Sequence, residues 1–290
     1  MKQVNKRTLD NKKLMQFFKK DYLFNEDYNL KRYVTYLKNF KKYHYLLTIL
    51  VKKDIKKKYK DSVLGILWSL LNPMLNMIII TIVFSTLFNR HIDNFPVYVL
   101  SGMMTFEFFS SGTNSSMNSI ITSANLIKKV YIPKYIFTLS KTISSFIFFL
   151  VSLIVLAIIM LFTKANVNLN LLYAPIYLLL LFIFTCGISL ILSTIIVFFR
   201  DIEHLYGVFV RALMYASAIF YPAEIIPPKY QFILTLNPIY HFIEGFRFAV
   251  YYGLPLNYKN LLICFVIASI SMIVGILVFE KNQDKFILHI

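Results

Sequence analysis

Apolar positions in this chain come mostly in long charge-free runs. Residues 62–89 carry no charge, 94–127 are interrupted only by Glu107, and 142–163 and 260–279 are clean; 165–199 is charge-free after a loop-like start at Asn166, Asn168 and Asn170. A helix needs about 20 apolar residues to cross a hydrocarbon core, so these runs predict five membrane spans. A sixth is expected at 202–222, apolar beyond a polar start that holds Glu203, His204 and Arg211; an interfacial hairpin is the other reading of that stretch. Residues 225–253 are also apolar, but Pro227, Pro228, the Asn237-Pro238 pair and Gly245 cut them into pieces too short to span. The residue before a proline is disfavoured in helix, so short external re-entrant half-helices are expected there. The predicted fold is all-α, a polytopic membrane protein with six transmembrane helices at 62–89, 97–121, 136–162, 171–198, 202–222 and 259–279. A cytoplasmic arm (1–40), an amphipathic helix (41–60), an inner loop (122–134) and a cytoplasmic tail (280–290) complete the division.

Composition excludes the soluble class: hydrophobic residues are 58% and charged residues 16%, against about 45–50% and about 25% in an average soluble domain. The net charge of +17 is concentrated, with 18 of the 31 Lys and Arg residues before position 61. Such an arm beside an apolar body points to anionic lipid or acidic protein, not to nucleic acid. Placing the arm, Lys128, Lys129, Lys134, Arg200, Lys281 and Lys285 on one side leaves only Arg90, Lys164, Lys229, Arg247 and Lys259 on the other. That asymmetry puts both termini in the cytoplasm and requires an even number of spans. Within 41–60, Leu46, Leu47, Leu50, Val51 and Ile55 recur at helical spacing beside Lys52, Lys53, Lys56, Lys57, Lys58 and Lys60, which suits either a lipid anchor or a docking surface.

Catalytic chemistry is poorly represented. None of the eight glycines is followed by Lys, so the phosphate-cradling loop of nucleotide hydrolases is absent. Cys186 and Cys264 lie in apolar runs, the histidines are scattered, and the acidic pair Asp201 and Glu203 opens a span, where helix capping is its ordinary role. No catalytic or metal-binding residue is expected.

Several ordered motifs resemble type-2 ABC exporter permeases of the polysaccharide and polyol-phosphate group. Residues 59–73, from Tyr59 through Trp68 to Asn72-Pro73, open the first span in that family's manner, followed by Val83-Phe84-Ser85. Leu100-Ser101-Gly102, Phe106 to Phe109, the loop Asn125 to Pro133, Phe199-Arg200-Asp201-Ile202, Asn237-Pro238 and Phe246-Arg247 follow in the same order. Thr105-Phe106, with Glu107 next, stands where the family commonly shows Pro-Trp. The resemblance implies a homodimeric permease with two separate ATP-binding cassette subunits, ATP and Mg being held by those partners and no cofactor by this chain. It implies a bacterial cytoplasmic (inner) membrane and a lipid-linked glycan as cargo, such as O-antigen, capsule or teichoic acid. It makes 41–60 an interface helix, 225–253 the outer gate, and Asn125, Lys128, Lys129, Tyr131 and Pro133 the ATPase-coupling residues; a simple positive-inside flank is the other reading of that loop.

A glycan needs a wet route with ring faces and hydrogen-bonding groups. Trp68, Asn72 and Asn76 repeat every four residues on one helical face, and His204, Arg211 and Tyr215 share another. With Glu107 these form the candidate substrate path. The competing reading has Asn72 and Asn76 bonding neighbouring helices and Arg211 paired with Glu107. A same-fold exporter of a drug or of a lipid without a long glycan, and a membrane enzyme acting on polyprenyl-linked sugars, are the functional alternatives.

Overall fold

The structure, a computed structural model, describes residues 43–58, 60, 62, 64–88, 92–130, 132–165 and 168–290. The arm assigned to 1–40 lies outside them, as does Tyr131. The chain divides into two units, Met1–Leu46 and Leu47–Ile290; the first is described only at residues 43–46, the start of the first helix, and the packing below concerns the second.

The described residues are helical, with no strand among them. Helix α1 covers residues 43–58, with Leu47 and Val51 buried and Lys52, Lys53, Lys56 and Lys57 exposed. Helix α2 (Trp68–Phe88) contains Pro73, and α3 (Phe95–Met117) follows. The short α4 (Ser119–Thr122) and α5 (Ala124–Ile127) form a compact loop before α6 (Tyr135–Phe162). Next come α7 (Ala174–Phe198), α8 (Ile202–Tyr215), α9 (Gln231–Leu236), α10 (Pro238–Val250), α11 (Tyr258–Asn282) and α12 (Phe286–His289).

Three helical stretches, Tyr135–Phe162, Leu169–Phe198 and Tyr258–His289, are long and apolar enough to cross a membrane, and Trp68–Phe84 is a shorter apolar helix. The 23 residues of α3 reach about 34 Å at 1.5 Å per residue but are rich in Ser, Thr and Gly. The reason is position: α3 packs against α2, α6, α7 and α10 and is mostly buried, so its surface meets protein. Small residues let neighbouring helices approach, and hydroxyls tie them together. Ser116 and Thr142 are 2.8 Å apart, Ser119 and Thr138 are 3.0 Å apart, and Thr138 and Thr142 donate onward to Ser193 and Ser189 at 3.2 and 3.3 Å. This buried seam joins α3 and α4 to α6 and α7.

The tightest contact is between α7 and α11. A Cβ added to Gly187 would stand 2.4 Å from the carbonyl carbon of Ser271, and one on Gly275 would stand 2.5 Å from the carbonyl oxygen of Gly187. Backbone meets backbone here, and only glycine permits it.

A second apolar cluster closes the end of the bundle where the α4–α5 loop lies. Ile120 and Ile127 from the loop join Phe137, Leu190, Val197, Phe279 and Phe286. The Lys134 ammonium donates to the carbonyl of Gln283. The last residues of the chain are therefore packed onto the base of the loop.

Helix α8 has 14 residues, about 21 Å, and ends where the backbone turns at Ala218 with φ of 49°. Beyond it, residues 223–250 form two single 3₁₀ turns, Ala223–Ile225 and Pro228–Tyr230, and then α9 and α10, parted at Asn237-Pro238.

Candidate functional site

The polar face of α2 opens on a cavity of about 450 Å³ between α1, α2, α3 and α6. Trp68, Asn72 and Asn76 line it from α2, and Glu107 lines it from α3. Their four-residue spacing on α2 puts them one above another, so a single helix supplies a ring face and two amides to one wall. All four are exposed in the chain, Trp68 at 40%.

The rest of the polar and aromatic lining comes from residues that the sequence did not single out. Ser145, Phe148, Phe149 and Ser152 project from α6, Ser111 from α3, and Lys58 from the end of α1. The Lys58 ammonium sits 3.9 Å above the Phe148 ring, a cation–π contact. Partial burial there holds its pKa below the ordinary lysine value, and the Glu107 carboxylate acts in the opposite sense. One turn earlier on α1, Asp54 pairs with Lys141 of α6 at 2.6 Å, the pair of ions within 4 Å among the described residues. These two contacts lay α1 along α6 and close that side of the cavity.

The remaining path candidates lie elsewhere. His204, Arg211 and Tyr215 are exposed on α8, on none of the walls of this cavity. Arg211 donates its Nε to the carbonyl of Gly207 in its own helix at 3.2 Å. Arg211 and Glu107 form no ion pair with each other, so the structural pairing weighed for them from sequence is not made within the chain. The seven candidates thus divide into a cavity group and an α8 group. Helix α8 is fastened to α3 from its other side: Tyr206 donates to Thr113 at 2.6 Å, and Glu203 accepts from Asn118 at 2.8 Å. Around Arg211 the open face carries Leu205 (66% exposed), Val208 (62%) and Tyr215 (63%).

At the loop end, Asn125, Lys128 and Lys129 are exposed and Pro133 is half-buried. Ile120 and Ile127 are buried beneath them, so the lysines stand on a braced platform.

A fourth constellation explains three of the ordered motifs. Arg247, fully buried, donates from Nη1 to the carbonyl of Ala218 at 2.9 Å and from Nη2 to those of Tyr98 and Ile219 at 3.2 and 3.0 Å. Its guanidinium lies 3.5 Å over the Tyr98 ring. Gly102 makes room for it, because a Cβ there would be 2.6 Å from Nη2. Asn237 caps α10 by accepting from the Ile239 amide at 3.0 Å and donates to the Ala216 carbonyl and the Ser217 hydroxyl at 2.9 and 2.8 Å. Ser101-Gly102, Asn237-Pro238 and Phe246-Arg247 therefore converge on one turn, 216–219, which they hold in its left-handed bend. Charge counting treated Arg247 as an external flank; its burial makes it a clamp.

The ABC-2 type transporter family matches residues 45–251. Among curated proteins, the O-antigen export system permease protein RfbA of Klebsiella pneumoniae is 32% identical over 242 residues, covering 83% of this chain and 93% of the relative. RfbA of Myxococcus xanthus is 25% identical, covering 84% and 95%. The polysialic acid transport protein KpsM of Escherichia coli is 25% identical, covering 81% and 92%.

Proposed function

This chain belongs to the ABC-2 type transporter family, and from that premise we propose that it is the permease subunit of an ATP-driven exporter that moves a lipid-linked polysaccharide across the bacterial cytoplasmic membrane. The observation that carries the cargo class is the pair of names among its relatives. One is an O-antigen exporter and the other a polysialic acid transporter; the sugars differ, and what they share is a long glycan. Both align over more than nine-tenths of their own length, so the likeness extends across the membrane body.

In this reading six spans cross the membrane with both termini in the cytoplasm, and residues 225–253 form the external gate. The loop between α3 and α6 seats on a separate ATPase, with Asn125, Lys128, Lys129, Tyr131 and Pro133 at the contact. Two copies of the chain assemble with two ATPases. The open face of α8 supports that assembly, because an arginine at mid-membrane costs about 2.5–3.5 kcal/mol if turned to lipid. A second copy around a wet route removes that cost, and His204, Arg211 and Tyr215 then line the route. Arg211 offers several fixed donors to the diphosphate of the lipid carrier, a geometry that a lysine lacks. Arg211→Lys and Arg211→Ala are accordingly expected to cut surface glycan at least tenfold at normal membrane abundance; unchanged glycan would remove Arg211 from the route.

Co-purification tests the coupling. The chain alone is expected to hydrolyse no ATP and to draw down its ATPase when the two are co-expressed. Lys128→Glu with Lys129→Glu places like charges against an acidic partner surface, and it should release the ATPase while the permease still reaches the membrane. Normal capture of the ATPase by that double variant would reduce the loop to a topology signal.

A further inference from the structure

We infer that the cavity between α1, α2, α3 and α6 binds one sugar unit of the exported chain, neutral or amino-substituted, and leaves the carrier's diphosphate to another place. The inference rests on the polysaccharide reading and adds to it a site and a ligand class.

Charge decides against the diphosphate. The walls carry one cation, Lys58, and one anion, Glu107, so the lining is neutral in sum. A group with two or more negative charges would lie beside the Glu107 carboxylate with a single ammonium to offset it, and that ammonium is already seated over Phe148. Opposed unit charges across a small cavity suit a ligand that is uncharged or carries an amine.

The uncharged groups fit a sugar. Asn72 and Asn76 each bring two donors and an acceptor, and the hydroxyls of Ser111, Ser145 and Ser152 bring both roles. Glu107 can accept from two adjacent hydroxyls or pair with an amino substituent. Trp68 supplies an exposed ring face to a ligand, and Phe148 and Phe149 add apolar surface to the lining. The volume, about 450 Å³, falls in the range of about 300–1,000 Å³ usual for small-molecule sites. Glu107, the position after the departure from the family's Pro-Trp pair, is the residue that gives this lining its anionic acceptor. It therefore acts as a specificity-determining residue for the sugar.

The chain supplies its own reporter, since Trp68 is the sole tryptophan. The full-length protein in lipid nanodiscs would be titrated with methyl glucoside, methyl glucosaminide, and inorganic pyrophosphate, following tryptophan emission. A saturable shift is expected with at least one glycoside, at least fivefold weaker in Glu107→Gln, and none with pyrophosphate at the same concentrations. Glu107 is exposed, so its replacement leaves the packing intact. As a second measurement, Asn72→Cys adds an accessible thiol to a chain whose own two cysteines are buried; the bound glycoside should slow its maleimide labelling at least threefold. No saturable shift with either glycoside, a shift unaffected by Glu107→Gln, or a response to pyrophosphate alone would each overturn the inference. Binding without export in cells would instead defeat the exporter reading, and export with a silent Trp68 would defeat this one.

Discussion

Arg247→Ala is expected to leave three buried carbonyls, those of Tyr98, Ala218 and Ile219, without their donor, and to lower the stability of the folded chain by about 3 kcal/mol or more at about 1–3 kcal/mol for each stranded group. The loss goes beyond hydrogen bonds, because the left-handed Ala218 is a conformation that a non-glycine residue keeps only when its surroundings fix it. Arg247→Lys should fall between, since one ammonium cannot fork to acceptors on both α3 and the turn. Gly102→Ala should reproduce part of the effect with Arg247 untouched, its Cβ arriving 2.6 Å from Nη2. Melting of the detergent-solubilised variants measures this. An Arg247→Ala protein that melts with the wild type would show that the turn holds itself.

The α7–α11 contact should be intolerant in a different way. Gly187→Ala pushes a methyl against the Ser271 backbone at 2.4 Å, and backbone cannot swing aside as a side-chain tip does. Overpacking of this kind costs about 1–3 kcal/mol, and Gly187→Leu, which must part the helices outright, should all but abolish folded protein in the membrane. Gly207 provides the control. It has nothing within 4 Å of its would-be Cβ, so Gly207→Ala should be neutral or stabilise α8 by up to about 1 kcal/mol. Comparable abundance of the Gly187→Leu and Gly207→Ala proteins would refute the close approach.

How much of this was legible in the sequence depends on whether one helix or several carry the feature. Tyr135–Phe162 and Tyr258–His289 announce themselves by hydropathy because lipid demands long apolar surfaces. The face of Trp68, Asn72 and Asn76 was visible for a similar reason, as residues four apart on one helix must align. Lys58, Ser145 and Ser152 were not, since they come from helices whose approach to α2 is set by tertiary contacts such as Asp54 with Lys141. A pairing of Arg211 with Glu107 was the competing reading because each is a charge in an apolar run; the packing of Tyr206 on Thr113 turns α8 so that its arginine faces outward. Arg247 misled most. Its charge suggested an exposed flank, and the signal to the contrary lay in Ser101-Gly102 and Asn237-Pro238, distant stretches that acquire a common purpose only once the fold joins them.

Cargo movement itself tests the central claim most directly. In a bacterium whose own exporter permease is deleted, this chain would be expressed with and without its partner ATPase, and lipid-linked glycan would be measured on the cell surface and inside the cytoplasmic membrane. The account predicts surface glycan only when both proteins are present, and accumulation on the inner side when either is missing. Surface glycan that is independent of the ATPase, or its continued absence with both proteins at normal abundance and the native glycan genes supplied, would contradict it.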